Sequence, residues 1–153
     1  MNIFIFRKQN KPACRQTGDK IKIITSKKRI KMRQHIEDDE QAKIFEWAAW
    51  KQREHKLLMM LFHVPNGGNR NVREAVRLKR QGVKAGIPDI YLDVPMGFYY
   101  GLRIELKISP NKPTENQTKY IDMYNNIGYK AVICYSADEA ISVICEYLEI
   151  KNT

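Results

Sequence analysis

No apolar run in these 153 residues approaches the length of a membrane span, and no two cysteines stand as a Cys-x-x-Cys pair. The three cysteines, Cys14, Cys134 and Cys145, cannot all be bridged. Cys134 and Cys145 sit in apolar stretches typical of buried free thiols, which excludes a disulfide scaffold and fits a reduced, cytoplasmic setting. Histidine is equally sparse: His35, His55 and His63 make no metal triad, and His63 reads as a residue of a sheet or its edge with no catalytic task. The apolar opening Met1–Phe6 is too short for a signal core, and its charges follow rather than precede it. No internal repeat is present, and the length suits one folded domain.

Acid is short relative to base, with 17 Asp and Glu against 27 Lys and Arg and a net charge of +10. That balance points to an acidic partner only if it belongs to the folded part. Residues 1–35 hold eleven of the basic side chains and one acid, Asp19, so the remainder is close to neutral. Residues 1–34 therefore read as a basic, poorly ordered arm able to bind nucleic acid, and residues 35–150 as the folded domain. Lys27-Lys28-Arg29-Ile30-Lys31 would be encoded by purine-rich codons resembling a ribosome-binding site, so a start at Met32 is an alternative.

Periodicity orders the domain. A helix is predicted from Ile36 to about His55, with Ile36, Ile44, Trp47 and Ala48 on one face. Leu57–Val64 is an apolar run of strand length, stopped by Pro65-Asn66-Gly67-Gly68. A basic helix, Val72–Gln81, follows. Ile90–Asp93 and Leu102–Ile108 alternate polar with apolar, as the strands of a hairpin do. Thr114-x-x-Gln117 and Ser136-x-x-Glu139 have the form of capping boxes, opening helices that carry Tyr120, Ile121 and Tyr124, and Ile141, Ile144, Cys145 and Leu148. Between them Ala131–Tyr135 reads as a buried strand. The order helix, strand, helix, two strands, helix, strand, helix implies an α/β fold with a mixed central sheet flanked by helices.

The chemistry lies on the hairpin. With its turn centred on Gly97, antiparallel register sets Asp89 opposite Glu105, Ile90 opposite Ile104, Tyr91 opposite Arg103 and Leu92 opposite Leu102. Asp89, Glu105 and Lys107 then share a face. Like charges opposite each other are destabilising unless compensated, and a hard divalent cation such as Mg²⁺ compensates them. Lys107 beside it could orient a water or meet charge on a phosphate. On spacing alone, a solvated strand face explains Arg103, Glu105 and Lys107 equally well.

The pattern Gly82-Val83-Lys84-Ala85-Gly86-Ile87-Pro88-Asp89 with Gly101-Leu102-Arg103-Ile104-Glu105-Leu106-Lys107 resembles the PD-(D/E)XK nuclease superfamily. Glu40-Gln41, Pro65-Asn66-Gly67-Gly68, Ala75–Lys79, Gln117 and Gly128-Tyr129 make the chain most similar to its VRR-NUC family, over about residues 37–148. The resemblance implies a restriction-endonuclease-like core in which Asp89, Glu105 and the Leu106 carbonyl ligate Mg²⁺ or Mn²⁺. It further implies that Lys107 assists the attacking water, that Glu40 completes the metal site from the first helix, and that Gln117 contacts the catalytic site.

Asn66, Gly67 and Gly68 precede a helix, where backbone amides suit a phosphate. Arg70, Arg73, Arg77, Arg80 and Lys84 form a basic stretch fit for a DNA backbone, and no base-reading motif is present. The expected activity is that of a structure-specific DNA endonuclease resembling Holliday-junction resolvases, working as a homodimer on branched or four-way DNA in a bacterial or phage-infected cell. The alternatives are a non-catalytic nucleic-acid-binding protein and a sequence-specific restriction-type endonuclease.

Overall fold

In the computed structural model, which describes residues 16–65 and 72–151, the periods of the sequence resolve into α1 (Gln16–Lys51), β1 (Leu61–His63), α2 (Val72–Arg80), β2 (Ile90–Leu92), β3 (Leu102–Leu106), α3 (Glu115–Asn126), β4 (Lys130–Cys134) and α4 (Ala137–Leu148). The chain divides into two units, Met1–Gln34 and His35–Thr153. The first contains the opening turns of α1, which begins at Gln16 rather than at Ile36. Residues 16–35 hold one glycine and no proline, so no helix breaker as strong as proline intervenes, and periodicity had no apolar face there to report.

In the second unit the sheet order is β1-β2-β3-β4. The first two pairings are antiparallel and β3–β4 is parallel, so the sheet is mixed. Ile90 pairs with Ile104, Tyr91 with Arg103 and Leu92 with Leu102, the register that a turn at Gly97 requires. Met96 and Tyr99 exchange both backbone hydrogen bonds across Gly97-Phe98, and Gly97 takes φ +56°, which a two-residue hairpin loop asks of glycine.

The predicted strand Leu57–Val64 is half correct. Lys56–Met60 coils into a short 3₁₀ helix, and only Leu61–His63 joins the sheet. Leu58 and Leu61 are buried, whereas Leu57, Met59, Met60 and Phe62 are exposed. A strand at the sheet edge has one neighbour only, so the whole run cannot be buried on both sides.

One face of the sheet carries Ile90, Leu92, Leu102 and Ile104, packed in a single apolar cluster with Ile44 and Ala48 of α1 and Ala140, Ile141, Ile144 and Leu148 of α4. Ile36, expected on that face, is exposed. Cys134 and Cys145 are buried free thiols, and burial pushes the Cys134 thiol up to about 12. Ser136 accepts from the Glu139 N–H as an N-cap should, but the reciprocal bond of the box falls one residue early, from the Tyr135 N–H to Glu139.

The other face, toward α3, is polar and still buried. Arg103 is 5% exposed. Its guanidinium lies 4.2 Å from the Tyr91 ring centroid, 4.4 Å from Tyr129 and 5.4 Å from Tyr124, and it pairs with Asp93 at 2.7 Å. Aromatic faces thus replace the water that a buried cation loses. Replacing Arg103 with Ala removes this packing and the ion pair together; urea unfolding is expected to show a loss of about 2–4 kcal/mol. An unchanged midpoint would contradict the role.

Candidate active site

At the end of β3 away from the hairpin turn, three segments bring ionisable groups together. Asp89 precedes β2 and is placed by a short loop: Pro88 is fully buried, and Gly86 adopts φ +89° with a Cβ that would stand 2.9 Å from Asn116 Cβ and 3.3 Å from Gln117 N. Only glycine permits this approach of the loop to the first turn of α3. Asp89 Oδ2 accepts the Leu106 N–H at 3.2 Å, which ties it to β3. Glu105 and Lys107 follow on the same strand, and the Lys107 N–H continues the parallel ladder to the Cys134 carbonyl at 2.8 Å.

Glu105 is fully buried, which removes the solvated-face reading of this strand. Its Oε1 accepts from Lys107 Nζ at 2.5 Å and from Gln117 Nε2. Gln117 is held by the capping box: its Oε1 accepts the Thr114 N–H at 2.8 Å, and its own N–H donates to Thr114 Oγ1 at 3.3 Å. The box therefore decides which end of the carboxamide faces the site, because the oxygen is spent on Thr114 and the NH₂ is left for Glu105. Structural cap and site contact are one residue's two ends.

Lys107 Nζ also donates to the Leu106 carbonyl at 3.0 Å and pairs with Glu37 at 3.3 Å. Glu40, the helix acid expected here, is elsewhere: its Oε2 accepts the Ala137 N–H at the start of α4, at 2.7 Å, and its Oε1 pairs with Lys43. The acid that α1 brings to the cluster is Glu37. Helical phase carried that signal, since at about 100° per residue Glu37 lies on the line midway between Ile44 and Ala48, whereas Glu40 is turned about 60° from it.

Burial, then the neighbouring Asp89 carboxylate, push Glu105 up to about 7 despite Lys107. Burial likewise raises Asp89, against the pull of Lys107 and the Leu106 N–H. Burial disfavours the Lys107 charge, but Glu105, Glu37 and Asp89 overcome it and raise the amine above its usual range. Glu105 Oε2 is buried and without a hydrogen-bond partner. Two adjacent carboxylates, one with an orphaned oxygen, and the neighbouring Leu106 carbonyl are the hard donors that Mg²⁺ or Mn²⁺ takes while keeping several waters. Among the described residues no group of three or more Asp, Glu, His or Cys forms an all-protein cage. An ion that retains waters does not need one.

Asn66, Gly67, Gly68 and Arg70 lie outside the described residues. Arg73, Arg77 and Arg80 lie along α2, exposed, and with Val76 and Gln81 they line a shallow groove of about 400 Å³. Lys84 is exposed beyond it.

The family model described as the VRR-NUC domain matches residues 25–138. A solved structure described as a VRR_NUC domain protein is 36% identical, covers 75% of this chain and 89% of its own, and superimposes with a TM-score of 0.64. Curated proteins returned no match.

Both carboxylates are raised, so what the metal-free fold gains from Glu105 is present in full below the ordinary value of 4.5 and is lost as pH rises through about 7. Cation binding needs the ionised acids and offsets that loss. Mn²⁺ is therefore expected to raise the melting temperature more at about pH 8 than at about pH 5.5. Equal increments would count against ligation by this pair.

Proposed function

The chain belongs to the VRR-NUC family, a nuclease family, and from that premise we propose that it is a Mg²⁺- or Mn²⁺-dependent, structure-specific DNA endonuclease of the Holliday-junction-resolvase kind. It hydrolyses phosphodiester bonds by direct attack of water, with no covalent enzyme intermediate. The observation that carries this reading is the division of labour within Glu105: Oε1 is occupied by Lys107 and Gln117, and Oε2 is buried with no donor.

Asp89, Glu105 and the Leu106 carbonyl would hold the cation, which when bound supplies charge stabilisation at the phosphate and an acidified water. Gln117 keeps Glu105 in one orientation. Lys107, steadied between Glu105 and Glu37, orients the attacking water or meets charge as it develops on the phosphate. From α1, Glu37 steadies Lys107, while the Glu40 carboxylate accepts from the start of α4. Asn66, Gly67, Gly68 and Arg70, and the exposed arginines of α2 with Lys84, carry the DNA backbone. A four-way junction has two-fold symmetry, so a homodimer offering two such sites matches it. Its place is the recombination and repair of branched DNA in the cytoplasm of a bacterial or phage-infected cell. No helix among the described residues is long and apolar enough to cross a membrane.

A panel of four-way junction, flap and linear duplex, each with Mg²⁺ and with Mn²⁺, tests the reading. The junction is expected to be cut, EDTA to stop cutting, and Glu105→Ala to lose about 10³-fold or more in rate while still binding. Full activity in EDTA or in that variant would overturn it. Defined cuts in linear duplex would instead indicate a restriction-type enzyme.

In the Glu105→Ala background, changing Arg73, Arg77 and Arg80 together to Ala is expected to weaken binding equally across sequences. The slope of log affinity against log salt should become shallower by about 0.9 per lost phosphate contact. A change that depends on sequence would place these arginines on base edges.

A further inference from the structure

His63 ends β1 and pairs with Ile90, beside Asp89. Its Nδ1 lies 3.0 Å from the Asp89 carbonyl oxygen, and the Val64 N–H donates to the same oxygen at 2.9 Å. A carbonyl oxygen only accepts, so Nδ1 must carry the proton in this contact. Both acceptor positions of that oxygen are then filled, one by a side chain and one by the backbone. The Asp89 peptide matters because it lies just beyond the β2–β3 ladder, whose last pair is Ile90 with Ile104. Holding that peptide fixes the backbone at Asp89 from which the carboxylate reaches the Leu106 N–H.

Building on the metal-dependent reading above, we propose that His63 is a positioning residue whose Nδ1–H, together with the Val64 N–H, clamps the Asp89 peptide and so sets the Asp89 carboxylate toward the cation. The ring is exposed, so its removal costs the core little. The effect should therefore appear in metal affinity more than in stability, as with other groups that orient a ligand without touching the metal. The Nδ1–H bond leaves Nε2 outside this role.

The two nitrogens can be separated by substitution, because the Asn carboxamide reaches the place of Nδ1 and the longer Gln carboxamide approximates Nε2. Mn²⁺ titrations of the metal-free wild type, His63→Ala, His63→Gln and His63→Asn are expected to show affinity about tenfold weaker for Ala and Gln and near wild type for Asn, with similar melting temperatures throughout. Junction cleavage by the Ala variant should recover at higher Mn²⁺ with KM for DNA unchanged. Nitrogen-15 spectra of the wild-type imidazole should report the Nδ1-protonated tautomer. Rescue by Gln and not by Asn would move the function to Nε2 and overturn the proposal, as would an Nε2-protonated ring or equal affinities in all four proteins. A wild-type chain that takes up no Mn²⁺ overturns the nuclease reading along with this one; uptake unchanged across the variants overturns this one alone.

Discussion

A fully buried carboxylate, Glu105, with the half-buried Asp89 and one lysine beside it, is the constraint on which the second unit is organised. Glu105 has lost all contact with water and stands next to Asp89, an arrangement that a folded chain tolerates only with compensation. Lys107 provides part of it and Gln117 another part, both on the same oxygen. The parallel ladder fixes Lys107 to β4, the capping box aims Gln117, and Glu37 of α1 steadies the lysine from a third direction. Each of these elements has an ordinary structural purpose, and each ends on the same few ångströms of β3.

Arg103, two residues earlier on the same face, presents the same difficulty with the opposite sign, and a different remedy meets it. Three tyrosine rings and Asp93 surround the guanidinium, with the Tyr91 and Tyr124 hydroxyls 3.1 Å apart. The α3-facing side of the sheet is therefore a buried polar seam in which Arg103 is held by aromatic faces and Glu105 by hydrogen bonds from one ammonium and one amide. An alternating strand of Arg, Glu and Lys looks solvent-facing in one dimension. Covering by α3 makes it interior.

Much of this was legible because it depends on local periods. Hairpin register follows from alternation and a glycine at the turn, and the structure has the same pairs for Ile90, Tyr91 and Leu92. The Thr114 cap was visible as a four-residue pattern. Most of what escaped had no local signature. The early start of α1 lies in a segment without an apolar face, and the 3₁₀ turn at Lys56–Met60 arises because the run sits at a sheet edge. Glu37 and Glu40 are one helical turn apart and chemically identical, so only the phase of α1 against the sheet separates them.

By itself, the order of residues determined most of the elements, the pairing of β2 with β3 and the presence of two acids and a lysine on one face of the hairpin, because each rests on spacing of two to four residues. Tertiary structure decided which groups meet. It took Glu37 to Lys107 and Glu40 to the N-terminus of α4, aimed one end of Gln117 at Glu105, and set His63 on the Asp89 carbonyl. The reason is physical: those contacts join residues 12 to 97 positions apart, and their geometry exists only once helices and sheet have packed and water has left the space between them.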